Sequence, residues 1–227
     1  MSGTGLRERK KARTRQLIVD AAARLFAARG YENVAVGDVA READVAEQTV
    51  YNYFPTKQQL VTDREQQIQE QLDRLIRSRP RGSTPAAAIR ESALRLVAGI
   101  RDIPPELWRG ELGYLAAISP TVHRLVLELI DRLARALAAA ISDTTAVSPE
   151  IARLQGIALA GVFELIISEA GRRTRDGQSQ TRIARELSRV IASVLDELDR
   201  WFSVSKSSRA RVSPTVSGIR AARRRRS

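Results

Sequence analysis

The stretch VAEQTVYNYFPTK, Val45 to Lys57, gathers Tyr51, Tyr53 and Phe54 within four residues of a chain that is only 4% aromatic. Burying one ring such as Phe54 stabilises a small domain by roughly 1.5–3 kcal/mol. A core does not account for two tyrosines beside Gln48, Thr49 and Asn52, because each brings a polar group that needs a partner. The stretch reads as a short helix from about Ala46 to Tyr53, ended by Pro55, since proline disfavours helical backbone in the residue before it.

Upstream, Leu17, Ile18, Ala21, Ala22, Leu25 and Phe26 form one face of a helix from about Arg7 to Arg29, with Gly30 as its stop. Val36, Val39, Ala40 and Ala43 mark a second, short helix. Asp44 falls where a tight turn is needed, and Asp tolerates a left-handed backbone. Two short helices joined by a tight turn behind a longer one describe a helix-turn-helix module, whose second short helix enters the major groove. Downstream, Thr56 with Gln59 reads as a capping box opening one long helix to about Ser78, with Leu60, Ile68, Leu72, Leu75 and Ile76 on its apolar side. Thr84-Pro85, Ser119-Pro120 and Ser148-Pro149 each pair a helix cap with proline at the first helical position. Helices are expected at about 85–101, 105–118, 120–141, 149–174 and 179–202. No alternating strand pattern occurs, so the expected fold is all-α with about nine helices.

The chain has 227 residues, no cysteine and one histidine, His123. That removes disulfides, thiolate zinc sites and the commonest routes to metal binding and acid–base catalysis, leaving carboxylates alone to do either, and no cofactor or metal site is expected. The net charge of +12 is concentrated at the ends. Residues 1–15 hold six basic groups against Glu8, giving +5, and residues 204–227 hold eight and no acid, giving +8, which leaves about −1 for residues 16–203. Such ends meet polyanions, nucleic acid first and an anionic membrane second. No apolar run of about 18 residues is evident and the N-terminus is charged, so the protein is expected to be soluble and cytoplasmic. Residues 204–227, rich in Ser and Arg, read as a disordered basic tail.

The apolar stripe Ile183, Leu187, Val190, Ile191, Val194, Leu195, Leu198, Trp201 and Phe202 is wider than a solitary surface helix needs. The preceding helix is apolar nearly all round from Ile157 to Ile167, interrupted by Gly161 and Glu164. Either these two helices complete one monomeric core, or they also meet a second copy as a four-helix interface.

The ordered set RQLIVDAAARLFAARGYENVAVGDVAREADVAEQTVYNYFPTKQQL, Arg15 to Leu60, resembles the N-terminal domain of the TetR family of transcriptional regulators. The resemblance rests on the first-helix pattern ending in Phe26, Gly30 and Tyr31, on VxDVAxxA at Val36 to Ala43, and on TVYNYFPTK at Thr49 to Lys57. It implies a helix-turn-helix DNA-binding domain at residues 15–60, preceded by a basic arm at 1–14 and followed by a helical ligand-binding and dimerisation domain at 61–203. Gln48 and Thr49 are then expected at base edges, where Gln bonds adenine and a Thr methyl touches thymine. Tyr51, with Asn52 and Tyr53, would reach phosphates, and Lys57 would add a point charge at a helix start. Glu47 either repels DNA or accepts from cytosine N4. Asp44 stands where the family usually has glycine, and Ala46 where it has a Ser or Thr cap. The basic arm either enters the minor groove, follows the backbone or is simply solvated.

The resemblance further implies a small-molecule pocket, with Trp108, Glu111, Tyr114, Phe163 and Glu164 as candidates. Trp108, Glu111 and Leu115, spaced i, i+3 and i+7, would share a helix face. Ordinary core packing is the alternative for each of them, and Glu164 would equally be satisfied by an arginine across a dimer. His123 reads as an exposed or capping residue. The expected function is a homodimeric repressor, joined through helices 149–174 and 179–202 and released from a near-palindromic operator by a small hydrophobic molecule. The alternative is a ligand-independent DNA-coating protein that relies on its basic ends. A catalytic role is not expected, for want of a phosphate loop or of a nucleophile with a base.

Overall fold

The computed structural model describes residues 3–210, and among them the chain is all helical. Helix α1 (Gly3–Arg29) is followed by α2 (Val36–Glu42) and α3 (Glu47–Tyr53), then a single 3₁₀ turn (Lys57–Leu60). The remainder comprises α4 (Glu65–Arg77), α5 (Pro85–Ala98) with a 3₁₀ turn (Gly99–Asp102), α6 (Pro105–Trp108), α7 (Leu112–Ile118), α8 (Pro120–Thr144), α9 (Pro149–Arg175) and α10 (Gln180–Ala210). The three Ser/Thr-Pro signals act as caps: Thr84, Ser119 and Ser148 hydroxyls accept from the N–H groups of Ala87, Val122 and Ile151 at 3.1, 3.1 and 3.4 Å.

Two cores form. The head buries Ile18, Ala22, Phe26, Tyr31, Val39, Val50, Phe54 and Leu60, and Leu115 and Val122 from α7 and α8 enter the same cluster. The body buries Leu72, Ile76, Ile89, Leu137, Leu159, Phe163, Ile183, Leu187 and Phe202. This division explains where the structure departs from the sequence pattern. Leu60 belongs to the head and Leu72 to the body, so one straight helix from Thr56 cannot serve both, and the chain breaks at 61–64. The capping box does form, with the Thr56 N–H donating to Gln59 at 3.4 Å, but it opens only the 3₁₀ turn.

The expected helix over 105–118 is likewise split into α6 and α7. Gly110 lies so close to α1 that an added Cβ would sit 2.0 Å from the Ala23 carbonyl oxygen. The expected nine helices become ten among the described residues. Residues 3–14 form the first turns of α1 and not a separate arm, and α10 continues through residues 204–210 of the expected disordered tail. The rest of that tail, 211–227, lies outside the described residues.

One expectation about apolar length is also corrected. Helix α9 is long and apolar enough to cross a membrane by length and composition. Its apolar character has an internal cause, because it packs against α5, α7, α8 and α10. Where α9 crosses α7 the approach is backbone to backbone: a Cβ on Gly171 would lie 2.0 Å from the Gly113 oxygen. The C-terminal end of α9 is tied by charge, with Glu169 accepting from Arg172 and Arg173 and Arg173 reaching Glu186 on α10. Arg172 first, and Arg173 after it, hold the Glu169 carboxyl down at about 2.

Candidate nucleic-acid interface

The turn between α2 and α3 is set by Asp44, which adopts φ 52°, the one non-glycine residue in the left-handed region among those described. The Asp44 N–H donates to Arg41 O at 3.2 Å and the Val45 N–H to Ala40 O at 3.0 Å, closing α2 and turning the chain. Helix α3 then starts at Ala46 without any side-chain cap. A missing cap costs about 1 kcal/mol, so α3 is held by packing and not by its own start.

That packing fixes which side chains face out. Val50 and Phe54 are buried in the head core, while Glu47, Gln48, Tyr51 and Asn52 are exposed on the opposite face, with Thr49 and Tyr53 half-buried at its flanks. Gln48 Nε2 donates to Asn52 Oδ1 at 3.2 Å, one turn on. This leaves Gln48 its carbonyl oxygen and one N–H, the pair that an adenine edge requires. The Glu47 carboxylate rests beside Gly37 at the start of α2, where an added Cβ would meet it at 3.1 Å.

Two cations brace the module from inside the chain. Lys57 turns back over the Tyr31 ring, with Nζ 4.3 Å from its centroid, and donates to the Glu32 carbonyl at 3.5 Å. Burial lowers its pKa, opposed by the Glu32 charge. Arg15 reaches the far end of α3: its guanidinium lies 4.5 Å from the Phe54 ring centroid, donates to Tyr53 O at 3.4 Å and pairs with Asp63. Arg15 was not separable in the sequence from the basic run around it, because only the fold shows which of those cations touches α3.

The head is also locked to the body. Ser119, which caps α8, donates its hydroxyl to the Glu32 carboxylate, and this bond is the main reason that the Glu32 carboxyl lies below its ordinary range. The sequence marks Ser119 as a cap but does not show this pairing, since the partners are 87 positions apart.

The five effector candidates are dispersed. Trp108 ends α6 and packs partly on the body core, with its Nε1 buried and without a hydrogen-bond partner. Phe163 is part of the body core itself, and Glu164 is half-buried beside it in sequence. Tyr114, on α7, is half-buried with Arg109 at 5.9 Å from its ring. Glu111 lies at the joint between head and body, where burial pushes its carboxyl up, Arg64 opposes this and Asp20 adds to it. The break at Arg109–Glu111 means that Trp108, Glu111 and Leu115 do not share one helix face. Two open grooves lie on the described residues, one lined by Gln69, Asp73, Arg77, Ala136 and Ala139 of α4 and α8, the other by Leu25, Arg29, Asp38, Arg41 and Glu42. None of the five candidates lines either. His123 is exposed in the first turn of α8.

The Glu111 environment carries a pH prediction. Its folded pKa is raised above the unfolded value, so the protonated form is favoured by folding and the benefit is lost as pH rises through the folded pKa. Glu111→Gln, which stays neutral, is therefore expected to be more stable than the parent at pH 7 and about equally stable below about pH 4. Urea midpoints at the two pH values check this, and equal midpoints at pH 7 would contradict it.

Residues 18–63 match the family model described as bacterial regulatory proteins, tetR family. The chain is 29% identical over 154 residues to the HTH-type transcriptional regulator TcmR of Streptomyces glaucescens, covering 67% of this chain and 63% of that protein. It is 25% identical over 115 residues to the uncharacterized HTH-type transcriptional regulator YuxN of Bacillus subtilis (strain 168), covering 48% and 40%. The matches thus span less than two thirds of either relative's own length. Among solved structures, native NalD, the secondary repressor of the MexAB-OprM multidrug efflux pump in Pseudomonas aeruginosa, superimposes with a TM-score of 0.52 at 19% identity, over 79% of this chain and 96% of that one. The SmeT–triclosan complex gives 0.53 at 17% identity, over 82% and 89%. At these identities the likeness is one of fold.

Proposed function

We propose, from the premise that the chain carries the TetR-family helix-turn-helix domain at residues 18–63, that it is a homodimeric, cytoplasmic transcriptional repressor that leaves its operator when a small hydrophobic molecule binds. The observation that carries this reading is the outer face of α3, where Glu47, Gln48, Tyr51 and Asn52 stand exposed over a fully buried Val50. A rigid helix with amide and phenol groups on its free side suits base edges and phosphates together. Gln48 and Thr49 take the base contacts, Tyr51, Asn52 and Tyr53 the phosphates, and Glu47 adds a cytosine contact. Lys57 holds the head together through Tyr31 and reaches phosphate only by leaving that ring.

Dimerisation is supported by apolar side chains that the protomer leaves uncovered. On α9, Leu154 and Ile157 are 51% and 50% exposed, with Gly161 open on the same side; on α10, Val190 and Trp201 are 39% exposed. Two copies pairing these helices would bury all of them and set the two heads to read half-sites about 34–36 Å apart, or a multiple of that. Sedimentation of Ile157→Glu is expected to show a monomer where the parent is a dimer. A dimeric variant would move the interface elsewhere.

For the effector, the support is the orphaned Trp108 N–H at the edge of the body core near the head–body joint. A buried donor without a partner costs about 1–3 kcal/mol, which a ligand acceptor would recover. Glu111, Tyr114, Phe163 and Glu164 stay the further candidates, and for them to line one site with Trp108, α6 and α7 must part from the core to admit a molecule. The complex of SmeT with triclosan supports the view that this fold can hold a small molecule. Fluorescence anisotropy of a bound duplex, followed while hydrophobic compounds are added, tests release. Trp108→Phe is expected to weaken the response to an effector that accepts a hydrogen bond and to leave DNA affinity unchanged.

A further inference from the structure

We propose that the first three turns of α1 are a second DNA contact, a helical basic rail that grips phosphates beside the half-site read by α3. The inference rests on the DNA-binding reading above and concerns residues that precede the family match, which begins at residue 18. Residues 3–14 are continuous with α1, and at 1.5 Å per residue they extend the helix by about 18 Å. Arg7, Arg9, Lys10, Lys11 and Arg13 are all exposed, and among the described residues none of the five pairs with an acid. Glu8 is the only acid of the segment.

The direction of this charge follows from helical spacing. Arg7, Lys11 and Arg15 recur every four residues and so lie on one stripe, with Lys10 one position away around the helix. Arg15, at the inner end of the stripe, is the residue that touches Tyr53 and Phe54 at the end of α3. Lys11 and Arg7 therefore continue from the C-terminal end of the recognition helix along the side of α1 that faces it. A duplex strand rises about 3.4 Å per phosphate along its axis, and the path along the winding backbone is roughly twice that, so a rail of about 18 Å reaches about three phosphates. Because the rail is helical, it lies along the backbone and does not thread the minor groove as an extended arm.

The contact is to phosphate, so it adds affinity for every sequence and selects none. The test is the salt dependence of binding, measured with the full chain on its selected duplex and on a scrambled duplex. The variant Arg7→Gln/Lys10→Gln/Lys11→Gln keeps helix propensity, since glutamine forms helix about as well as lysine and arginine. Losing three phosphate contacts is expected to make the log–log salt slope shallower by about 2–3 and to weaken both duplexes by about 10–100-fold near physiological salt, leaving their ratio unchanged. Arg7→Lys/Lys10→Arg/Lys11→Arg, which keeps the charge, is expected to keep the parental slope. A glutamine variant with the parental slope, beside a parent that binds selectively, overturns the rail alone. A parent that binds neither duplex overturns the DNA-binding reading and the rail with it.

Discussion

Gly171→Ala is expected to destabilise the chain by about 2–3 kcal/mol, although glycine to alanine in a helix interior ordinarily gains about 1 kcal/mol. The reason is steric. The new Cβ would lie 2.0 Å from the Gly113 oxygen, 2.6 Å from its carbonyl carbon and 3.2 Å from Ala117 Cβ, and two of those three atoms are backbone. A flexible side chain could swing away, but here α7 and α9 must separate along their whole crossing. Close-packed interiors tolerate such insertion poorly. The damage does not stay in the body, because Leu115 on α7 is buried in the head core with Phe26 and Val50. The same variant is thus expected to loosen the head as well as lower the urea midpoint. Gly99→Ala serves as control, since nothing lies within 4 Å of its added Cβ, and it is expected to change stability by no more than about 0.5 kcal/mol. A Gly171→Ala protein as stable as the parent would mean that the helices do not meet backbone to backbone.

The second large effect concerns specificity. Gln48→Ala is expected to cost about 1–3 kcal/mol of discrimination at one base pair of each half-site, a loss of roughly 10–100-fold in preference there. The side chain is exposed, so the fold should be unaffected. Its amide is already oriented by Asn52 at 3.2 Å, which reduces the ordering needed on binding. Asn52→Ala should therefore reproduce part of the same loss without touching the base. Tyr51→Phe removes only a hydroxyl on the same face, and it is expected to weaken preferred and scrambled duplexes alike, as a phosphate contact does. Competition titrations with single-base-pair variants separate the two patterns. Uniform weakening by Gln48→Ala would remove it from the base-reading set.

What could be read from the sequence followed from local rules. The helix-turn-helix was legible because Gly30, Asp44 and Pro55 punctuate apolar periodicities, and Asp44 adopts the left-handed backbone that its position required. The caps at Thr84, Ser119 and Ser148 were legible for the same reason. The breaks at 61–64 and at Arg109–Glu111 were not, because each arises from a contact between elements far apart in the chain: Leu60 claimed by the head core, Gly110 pressed against Ala23. Lys57 shows the same limit at the site. Its charge and its place at the start of a turn suit a phosphate, yet the aromatic face of Tyr31 lies within 4.3 Å and holds it. Mixed character along single helices marks the effector candidates in the sequence, and the split between α6 and α7 takes away the shared face that the spacing of Trp108 and Glu111 suggests.

The proposed repressor reads DNA sequence as a symmetric pair of α3 helices. Selection from a pool of random duplexes by the intact protein, at near-physiological salt and with the retained DNA sequenced, tests it most directly. The expected result is a two-fold-symmetric motif whose half-sites lie one helical turn, about 34–36 Å, or a multiple of it apart. Retention of every sequence alike would contradict it and leave a protein that coats DNA through its basic ends.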